Sequence, residues 1–390
     1  MINVAMLTPF FTGNLGGPYN VILEIIPYLE EYGVNSTIYT TSAISKFGRK
    51  RTEFFKKKSD HFKIYRFDSY LRFKEYRISL SMVPYLLSHA KNLDIIHSHA
   101  MRSYQEDVGT LISFTKHKPM IISAHGGISI NWDYGDKIPK MLHDLSIGYL
   151  NKKLLNPHYI AVAKYEILLL QQYGISADRI HFIPHGVNTN LFKPMEHPEL
   201  KKEMGIENSD ILLYVGRIAK GKGVDKLIKI LYQVRKKNKH AKLIIVGGDA
   251  GYLSIVKNLI RKYNLSDHVK FTGYIPKYKL APYYSIASLV IYPSRQEIFG
   301  LVLCEAMACA KPVIGSDIMG PSEIIVDGKT GFISDFENID ELSEKVIALL
   351  DDKEYLSILG KNGLERVKRY YTWEKTAKLH FDLYKQVLGK

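Results

Sequence analysis

The stretch Glu297-Ile298-Phe299-Gly300-Leu301-Val302-Leu303-Cys304-Glu305-Ala306 carries the most informative pattern in the sequence. A short apolar run, 289–292, comes before it and has the composition of a strand buried on both faces. We predict a helix that begins near Gly300, with Glu297 in the loop before it and Glu305 on its second turn. This arrangement would place two carboxylates close to one end of a strand.

The predicted helix would also offer hydrogen-bond donors to a ligand. Its unpaired first-turn N–H groups belong to Phe299, Gly300 and Leu301. Open α/β sheets bind ligands at the carboxyl ends of their strands, where these donors would lie. A carboxylate accepts two hydrogen bonds from neighbouring hydroxyls, so both glutamates suit a sugar or a ribose. The alternative interpretation is an acid that favours the helix dipole beside an exposed helix face.

The residues around this stretch alternate between short apolar runs and amphipathic segments. In the first half of the chain a helix is predicted at 19–32, and strands at 4–7, 36–40, 94–97, 120–123 and 159–162. In the second half a helix is predicted at 224–234, and strands at 211–215, 242–246, 269–271, 289–292 and 312–315. Such alternation is typical of an α/β fold with parallel sheets that are covered by helices on both faces.

The length of the chain and one loop predict two domains. A chain of 390 residues can bury two separate cores. The stretch Ile183-Pro184-His185-Gly186-Val187-Asn188 has the composition of a hinge. We therefore predict a first domain at 1–186, to which the C-terminal helix at 372–390 returns, and a second domain at 187–371.

A second motif, Leu213-Tyr214-Val215-Gly216-Arg217-Ile218-Ala219-Lys220-Gly221-Lys222-Gly223, ends a predicted strand at a glycine and presents cations before a helix. Fixed cations stabilise a diphosphate that gains negative charge as a bond to it breaks. The alternative is a solvated basic turn, and we expect Lys220 to be simply exposed.

Together these motifs resemble the Glu-x7-Glu signature and flanking segments of the retaining glycosyltransferase family 4, the "group 1" transferases of the GT-B fold. The similarity continues through 307–317, 320–325 and 327–332. It implies two Rossmann-like, doubly wound domains that face a deep cleft, with the residues 1–186 on the acceptor side. It also implies that Glu297 contacts donor-sugar hydroxyls, that Glu305 holds the nucleotide ribose, and that the amides of 299–301 face the sugar and diphosphate.

The resemblance implies roles for five more residues. Arg217 and Lys222 would stabilise the leaving diphosphate, and the paired glycines Gly16 and Gly17 would let the backbone approach the donor phosphates. A plain strand-to-helix turn remains the alternative for these glycines.

His125, in Ser123-Ala124-His125-Gly126-Gly127, would lie against the donor sugar. Four other histidines are interpreted as structural or peripheral: His97, His99, His181 and His185.

No metal and no cofactor is expected. The sequence contains no Asp-x-Asp pair, which metal-dependent sugar transferases commonly use. Arg217, Lys222 and helix N–H groups would take the place of the ion.

The family resemblance implies transfer with retention at the anomeric carbon. Since no carboxylate is identified on the far side of the sugar, we favour front-face attack over double displacement. The expected donor is a UDP-, GDP- or ADP-sugar.

The net charge of +15 is unevenly distributed. Residues 46–77 hold 12 Lys and Arg against 4 Asp and Glu, interleaved with aromatic residues. Such a segment suits an anionic membrane surface, where each basic residue contributes about 1 kcal/mol, and a lipid-linked or carbohydrate acceptor. A solvated loop is the alternative. No nucleic-acid-binding motif is present, so specific nucleic-acid binding is not expected.

The sequence lacks a signal-peptide pattern and an apolar run of about 20 residues, and its two cysteines, Cys304 and Cys309, are too few for a zinc site. We therefore expect a cytoplasmic enzyme, in peripheral contact with the inner membrane face if the basic segment binds lipid. Two rival functions stay open: an epimerase or hydrolase of nucleotide sugars with the same fold, and, more remotely, a basic nucleic-acid-binding protein.

Overall fold

A computed structural model of the chain describes residues 1–10, 17–42, 51–57, 59–69, 71–73, 76–128 and 137–390. The chain forms two compact units, one made of residues 1–186 and 373–390 and the other of residues 187–372. Each unit has its own sheet with helices around it, so the predicted α/β fold class with two Rossmann-like domains is confirmed.

In its described residues, the N-terminal unit has ten strands and the first six helices. The strands are β1 (Ile2–Phe10), β2 (Val34–Thr41), β3 (Arg51–Lys57), β4 (Ser59–Phe67), β5 (Leu71–Phe73), β6 (Tyr76–Ile78), β7 (Ile95–Ser98), β8 (Met120–Ser123), β9 (His158–Ala161) and β10 (Ile180–Phe182). The helices are α1 (Gly17–Glu31), α2 (Met82–His89), α3 (Tyr104–Lys116), α4 (Lys137–Leu145), α5 (Ile147–Leu150) and α6 (Lys164–Gln172).

The C-terminal unit holds six strands and eight helices. The strands are β11 (Asp210–Val215), β12 (Ala241–Val246), β13 (Val269–Gly273), β14 (Leu289–Tyr292), β15 (Val313–Ser316) and β16 (Phe332–Ser334). The helices are α7 (Pro198–Glu203), α8 (Val224–Lys237), α9 (Leu253–Lys262), α10 (Ala281–Ile286), α11 (Leu301–Ala308), α12 (Met319–Ile324), α13 (Ile339–Asp351) and α14 (Lys353–Tyr370). The last helix, α15 (Trp373–Val387), belongs to the N-terminal unit.

The sheet of the C-terminal unit has the order β13-β12-β11-β14-β15-β16, and all of its strands are parallel. The chain adds strands to one side of β11 and then returns to add β14 on the other side. The carboxyl ends of β11 and β14 are therefore the switch point of the sheet, where loops diverge and a ligand can enter. Each of the two motifs described above lies at the end of one of these strands: 213–223 at the end of β11, and 297–306 after β14.

The sheet of the N-terminal unit has the order β10-β9-β8-β7-β1-β2-β4-β3. Neighbouring strands are parallel except at the edge, where β3 runs antiparallel to β4. The strand β1 is central and its apolar side chains, including Val4 and Leu7, are fully buried. The switch point lies at the carboxyl ends of β1 and β7, and the neighbouring strand β8 leads to His125.

The described backbone of the basic segment forms two antiparallel strand pairs, β3 with β4 and β5 with β6. Residues 46–50, 58, 70, 74 and 75 of that segment lie outside the described residues. Within the part of the chain that the structure describes, no helix has both the length and the apolar character that crossing a bilayer requires. Cys304 and Cys309 are both buried and unpaired with each other.

Candidate functional site

The loops after β11 and β14 meet in the C-terminal unit. Gly223 has a φ of +66°, which favours glycine, and a Cβ there would lie 2.1 Å from the carbonyl oxygen of Pro293. The glycine therefore lets the 216–223 loop approach the loop after β14. On the other side, the N–H of Gly320 donates to the carbonyl oxygen of Glu297 at 3.3 Å. The loop that carries Glu297 is thus held by two neighbouring segments.

Glu297 forms an ion pair with Lys222, at 2.8 Å between Oε2 and Nζ. The hydroxyl of Tyr292 donates to the same oxygen at 2.5 Å, and Nζ of Lys222 also lies 3.3 Å from the hydroxyl of Ser294. The side chains of Lys222 and Glu297 are 12% and 23% exposed, so the pair is mostly shielded from water yet open to a ligand. One predicted acid and one predicted cation are therefore brought together.

The surroundings of Glu297 favour its ionised form. Burial alone would raise the pKa of the carboxyl, but the charge and hydrogen bond of Lys222, with hydrogen bonds from Tyr292 and the N–H of Phe299, lower the pKa below its usual value. The N–H of Phe299 is thus already engaged by Glu297. Our expectation that it is a free donor is wrong, because the carboxylate folds back onto the turn that precedes α11.

The start of α11 matches the expected geometry in other respects. Gly300 precedes the helix with a φ of +95°, and its carbonyl oxygen accepts from the N–H of Leu303 at 2.9 Å. Within the described part of the chain, the N–H groups of Gly300 and Leu301 donate to no protein acceptor. These two donors remain available to an anion, in the first turn of a helix whose dipole favours negative charge.

Glu305 lies on the second turn of α11 and is 5% exposed. The hydroxyl of Tyr284 donates to its Oε2 at 2.8 Å, and Nζ of Lys277 lies 3.7 Å from its Oε1. Sequence reasoning missed both Tyr284 and Lys277. Lys277 follows β13 within a few residues, so a cation after the carboxyl end of a strand was the signal that could have found it.

Arg217 is exposed on the loop after β11. The hydroxyl of Tyr214 donates to the carbonyl oxygen of Arg217 at 2.8 Å and so fixes the backbone of the loop. Among the described residues, no carboxylate lies within ion-pair distance of its guanidinium. The structure therefore does not join Arg217 to the pair of Glu297 and Lys222, and its charge faces solvent.

His125 follows β8 in the N-terminal unit, with a φ of +47° that is uncommon for a residue other than glycine. Its ring stacks between those of His99, at 5.5 Å between centroids, and His185, at 5.3 Å. Nδ1 of His99 and Nε2 of His125 are 3.2 Å apart, so one donates to the other. We interpreted His99 and His185 as structural or peripheral, and both lie directly against the candidate residue.

The histidine stack extends into the core of this unit. The ring of His97 stacks on that of His99 at 4.1 Å, and its two nitrogens bond Ser123 and Tyr384. Burial, with a smaller contribution from His380, lowers the pKa of His125 to about 3. Burial also holds the pKa of His99 well below its usual value. The His125 ring is therefore neutral near pH 7 and can offer a ligand a hydrogen bond but no positive charge.

A fully buried acid, Glu166, holds the loop that carries His125. Its carboxylate accepts from the N–H of Gly126 at 2.7 Å and from the N–H of Val162 at 2.8 Å. The two N–H groups come from the ends of two neighbouring strands, β8 and β9. Sequence reasoning missed Glu166, because an acid in the first turn of a helix is typical of ordinary helix ends and gives no sign of a partner 40 residues away.

The paired glycines are only partly described. Gly17 begins α1, just after the switch point of the N-terminal sheet, whereas Gly16 lies outside the described residues. Across the described ranges, no group of three His, Cys, Asp or Glu side chains is placed to hold a metal ion.

Two family signatures match the sequence. The one described as "Glycosyl transferases group 1" matches residues 196–366, and the one described as "Glycosyltransferase Family 4" matches residues 15–191. An uncharacterized glycosyltransferase from Methanocaldococcus jannaschii is 30% identical over 317 residues, which cover 81% of this chain and 80% of that protein. D-inositol 3-phosphate glycosyltransferase 2 from Catenulispora acidiphila is 27% identical over 307 residues, which cover 75% of this chain and 70% of that protein.

Solved structures share the fold. Sucrose-phosphate synthase from Thermosynechococcus elongatus superposes with a TM-score of 0.79 at 23% identity and covers 100% of both chains. HepE from Anabaena, in complex with UDP-glucose, superposes with a TM-score of 0.78 at 19% identity and covers 98% of this chain and 99% of that one. The GT-B fold is thereby established, and with both family signatures and the archaeal relative it follows that this chain belongs to the group 1, family 4 glycosyltransferases.

Proposed function

We propose that this glycosyltransferase moves a sugar from a nucleoside diphosphate sugar to a carbohydrate or lipid-linked acceptor, with retention and without a metal ion. The observation that carries the proposal is the ion pair of Lys222 and Glu297 at the switch point of the C-terminal sheet, beside the free N–H groups at the start of α11. This arrangement supports the proposal because it gives the C-terminal unit a cation, a carboxylate and helix donors at the edge of the sheet where such folds bind ligands.

We assign the diphosphate to the cations and helix donors. Lys222 and the N–H groups of Gly300 and Leu301 would hold the phosphate oxygens, and Arg217 would add its exposed charge. The negative charge on the leaving diphosphate increases as the sugar bond breaks, so donors already fixed in place favour the transition state over the ground state. Four oxygen atoms of its own unit hold the Lys222 ammonium in place, and its three N–H donors would turn from some of these oxygens to the phosphate when the donor binds.

We assign the sugar and the ribose to the two glutamates. Glu297 is kept ionised, and so can accept hydrogen bonds from the sugar hydroxyls. Glu305 would hold the ribose, with Lys277 and Tyr284 fixing the orientation of its carboxylate. Two of the relatives support a nucleotide-linked donor: HepE is solved with UDP-glucose, and a mannosyltransferase of Mycobacterium tuberculosis, 30% identical over 210 residues, is described as GDP-mannose-dependent.

We assign His125 a hydrogen bond to the donor sugar, as the family resemblance implies. Its lowered pKa makes it neutral at the pH of the reaction, so it is not a proton donor of ordinary strength. In the front-face route that we favour, the leaving phosphate takes the proton of the attacking hydroxyl, and His125 only orients the sugar. No charged base is then required of the N-terminal unit.

A donor screen tests this proposal. UDP-, GDP- and ADP-sugars are added in turn and the melting temperature is recorded, because a ligand that binds only the folded state stabilises it by about 2.7 kcal/mol at 100 times its Kd. We expect one nucleotide class to raise the melting temperature and to do so without added divalent metal. If none of the three does so, or if chelation of divalent ions abolishes the shift, the proposed donor site is wrong.

Product analysis then separates transfer from its rival. The preferred donor is incubated with and without candidate acceptors, and the anomeric configuration of the product is read by NMR. Transfer predicts a new glycoside with the configuration of the donor, formed only with an acceptor. Conversion or hydrolysis of the donor at the same rate without an acceptor would instead identify an epimerase or hydrolase.

A further inference from the structure

Helix α4 presents its apolar side chains to solvent. Ile138, Leu142 and Leu145 are 71%, 61% and 76% exposed, and Met141 lies on the same side at 52%. No residue of the helix is buried. These positions recur every three or four residues and so form one stripe along the helix. A stripe of this kind normally faces the core of a soluble domain.

The polar side of α4 faces the protein instead. Asp144 accepts two hydrogen bonds from Arg102, at 2.8 and 2.9 Å, and one from the hydroxyl of Tyr173 at 2.8 Å. Nε2 of His143 lies 2.8 Å from the carboxylate of Asp107. The charged residues thus anchor the helix to its own domain, and the apolar stripe is left outward.

The apolar surface continues past the end of the helix. Tyr149, Leu150 and Leu154 are 54%, 40% and 60% exposed. Seven large apolar side chains between 138 and 154 are therefore at least 40% exposed. We call the surface formed by these seven side chains the α4 face. Contiguous apolar surface of this kind usually marks an interaction site.

Basic residues border the α4 face. Lys137 and Lys153 are exposed and Lys140 is half-buried, while the one acid between 137 and 155, Asp144, is engaged by Arg102. The formal charges that face outward here are positive. An isologous dimer through this face would bring two positive borders together, which disfavours a second copy as the occupant.

We propose that the α4 face docks on an anionic lipid bilayer. Apolar side chains on one side of a short helix can enter the acyl boundary while the bordering lysines meet lipid phosphates, as in helices that lie in the plane of a membrane. The seven residues of this surface lie outside the basic segment 46–77, and the proposal does not depend on the transfer reaction. Arg102 connects it to the loop of His125, since its Nη1 donates to the carbonyl oxygens of Gly127 and Ile128.

Vesicle flotation tests the proposal on the full chain. We compare vesicles of phosphatidylcholine alone with vesicles that also contain phosphatidylglycerol, using a variant that combines Ile138→Ser, Leu142→Ser and Leu145→Ser. The matched control combines Ile255→Ser, Ile358→Ser and Leu379→Ser, three exposed apolar positions elsewhere. We expect the α4 variant to lose about tenfold or more of its partitioning to anionic vesicles, because buried apolar area drives insertion, and the control to keep it.

Several results would overturn the proposal. These are equal binding by the α4 variant, loss of binding in the control alone, or no binding of the unaltered protein to anionic vesicles. If light scattering instead shows that the α4 variant converts a dimer to a monomer while vesicle binding stays unchanged, the face belongs to a second copy. Donor-induced stabilisation is measured in parallel, and its retention in the α4 variant separates this proposal from the proposed function.

A fluorescence measurement keeps the test decisive if the triple variant folds poorly. Leu145→Cys provides an exposed thiol for an environment-sensitive dye, whereas Cys304 and Cys309 are buried. We expect a blue shift with anionic vesicles and a smaller shift at high salt, since screening weakens the contribution of the lysines. An unchanged spectrum on addition of anionic vesicles would also overturn the proposal.

Discussion

The candidate residues of the two units have opposite charge states, and different surroundings cause the difference. In the C-terminal unit, Lys222 keeps Glu297 charged in a partly buried position, because its charge and hydrogen bond outweigh the effect of burial. In the N-terminal unit, His125 has other histidines beside it, and burial keeps it neutral. Glu297 is thus held charged beside a cation, whereas His125 is held neutral among other histidines. This difference supports our proposal that the C-terminal unit holds the charged part of the donor.

The largest expected effect comes from removing the negative charge of the C-terminal unit. Glu297→Gln keeps the size of the side chain but leaves Lys222 without its ion-pair partner. We expect kcat to fall by about 10²–10³, the usual effect of losing one fixed electrostatic contact in a transition state, with a smaller change in donor Kd. Steady-state kinetics and calorimetry measure both quantities. The exposed Glu344→Gln is the control, and unchanged kcat in the Glu297 variant would contradict the assignment.

Removal of the cation should have a smaller but related effect. Lys222→Met is expected to lower kcat/KM by about 10², and to move the acidic limb of the pH–rate profile upward, because the Glu297 carboxyl loses the charge that lowers its pKa. The neighbouring, exposed Lys220→Met serves as the control. If both lysine variants lose activity equally, the loop acts through its general positive charge, and the specific pairing is not needed.

Loss of the second acid, Glu305, should mainly weaken the binding of the donor. Glu305→Ala removes the predicted ribose contact and is expected to weaken donor binding by about 1.5–3 kcal/mol, the usual contribution of a charge-assisted hydrogen bond. Calorimetry with the nucleoside diphosphate alone measures this change. The variant would also leave Lys277 and Tyr284 without their carboxylate, so a melting curve is needed beside it. Undiminished affinity in a folded variant would remove Glu305 from the site.

The smallest effect concerns the neutral stack of the N-terminal unit. The pKa of His99 is lower in the folded state than in the unfolded chain, so the unfolded state binds the proton first as the pH falls below about 6.5. Stability is therefore present above that pH and is lost as the pH falls. His99→Asn should make the slope of unfolding free energy against pH shallower, with the difference approaching about 1.4 kcal/mol per pH unit only well below pH 6.5.

Chemical denaturation between pH 5 and 7 checks this slope, as an order-of-magnitude expectation for one buried group. The exposed His240→Asn provides a matched control. An identical slope in the His99 variant and the unaltered protein would mean that burial does not keep the stacked histidines neutral. The difference in charge state between the candidate residues of the two units would then be contradicted.

Much of the C-terminal site could be predicted because it is local in sequence. The helix predicted near Gly300 begins at Leu301, and Glu305 lies on its second turn. The order of the strands then brings the 216–223 loop and the 293–300 loop together, which parallel-sheet topology leads one to expect. The fold class is confirmed, whereas the functional roles of these residues stay predictions.

What could not be predicted depends on contacts between distant segments. Glu166 reaches the N–H of Gly126, and His185 meets His125 across 60 positions. Nothing in the local pattern of either residue reveals its partner. The outward stripe of α4 was missed for a related reason: amphipathic spacing predicts a helix, but the side that faces the core depends on where Arg102 and Tyr173 lie.

The placement of α15 has a consequence for how the protein is made. This helix supplies Tyr384, whose hydroxyl bonds His97, and Phe381, whose ring stacks on that of Tyr32. The ribosome synthesises it only after the whole of residues 187–372, so the unit that begins first is completed last. During translation, the C-terminal unit can fold while the surfaces of β7 and α1 that α15 later covers are still exposed. We expect chaperones to bind the nascent chain at these surfaces.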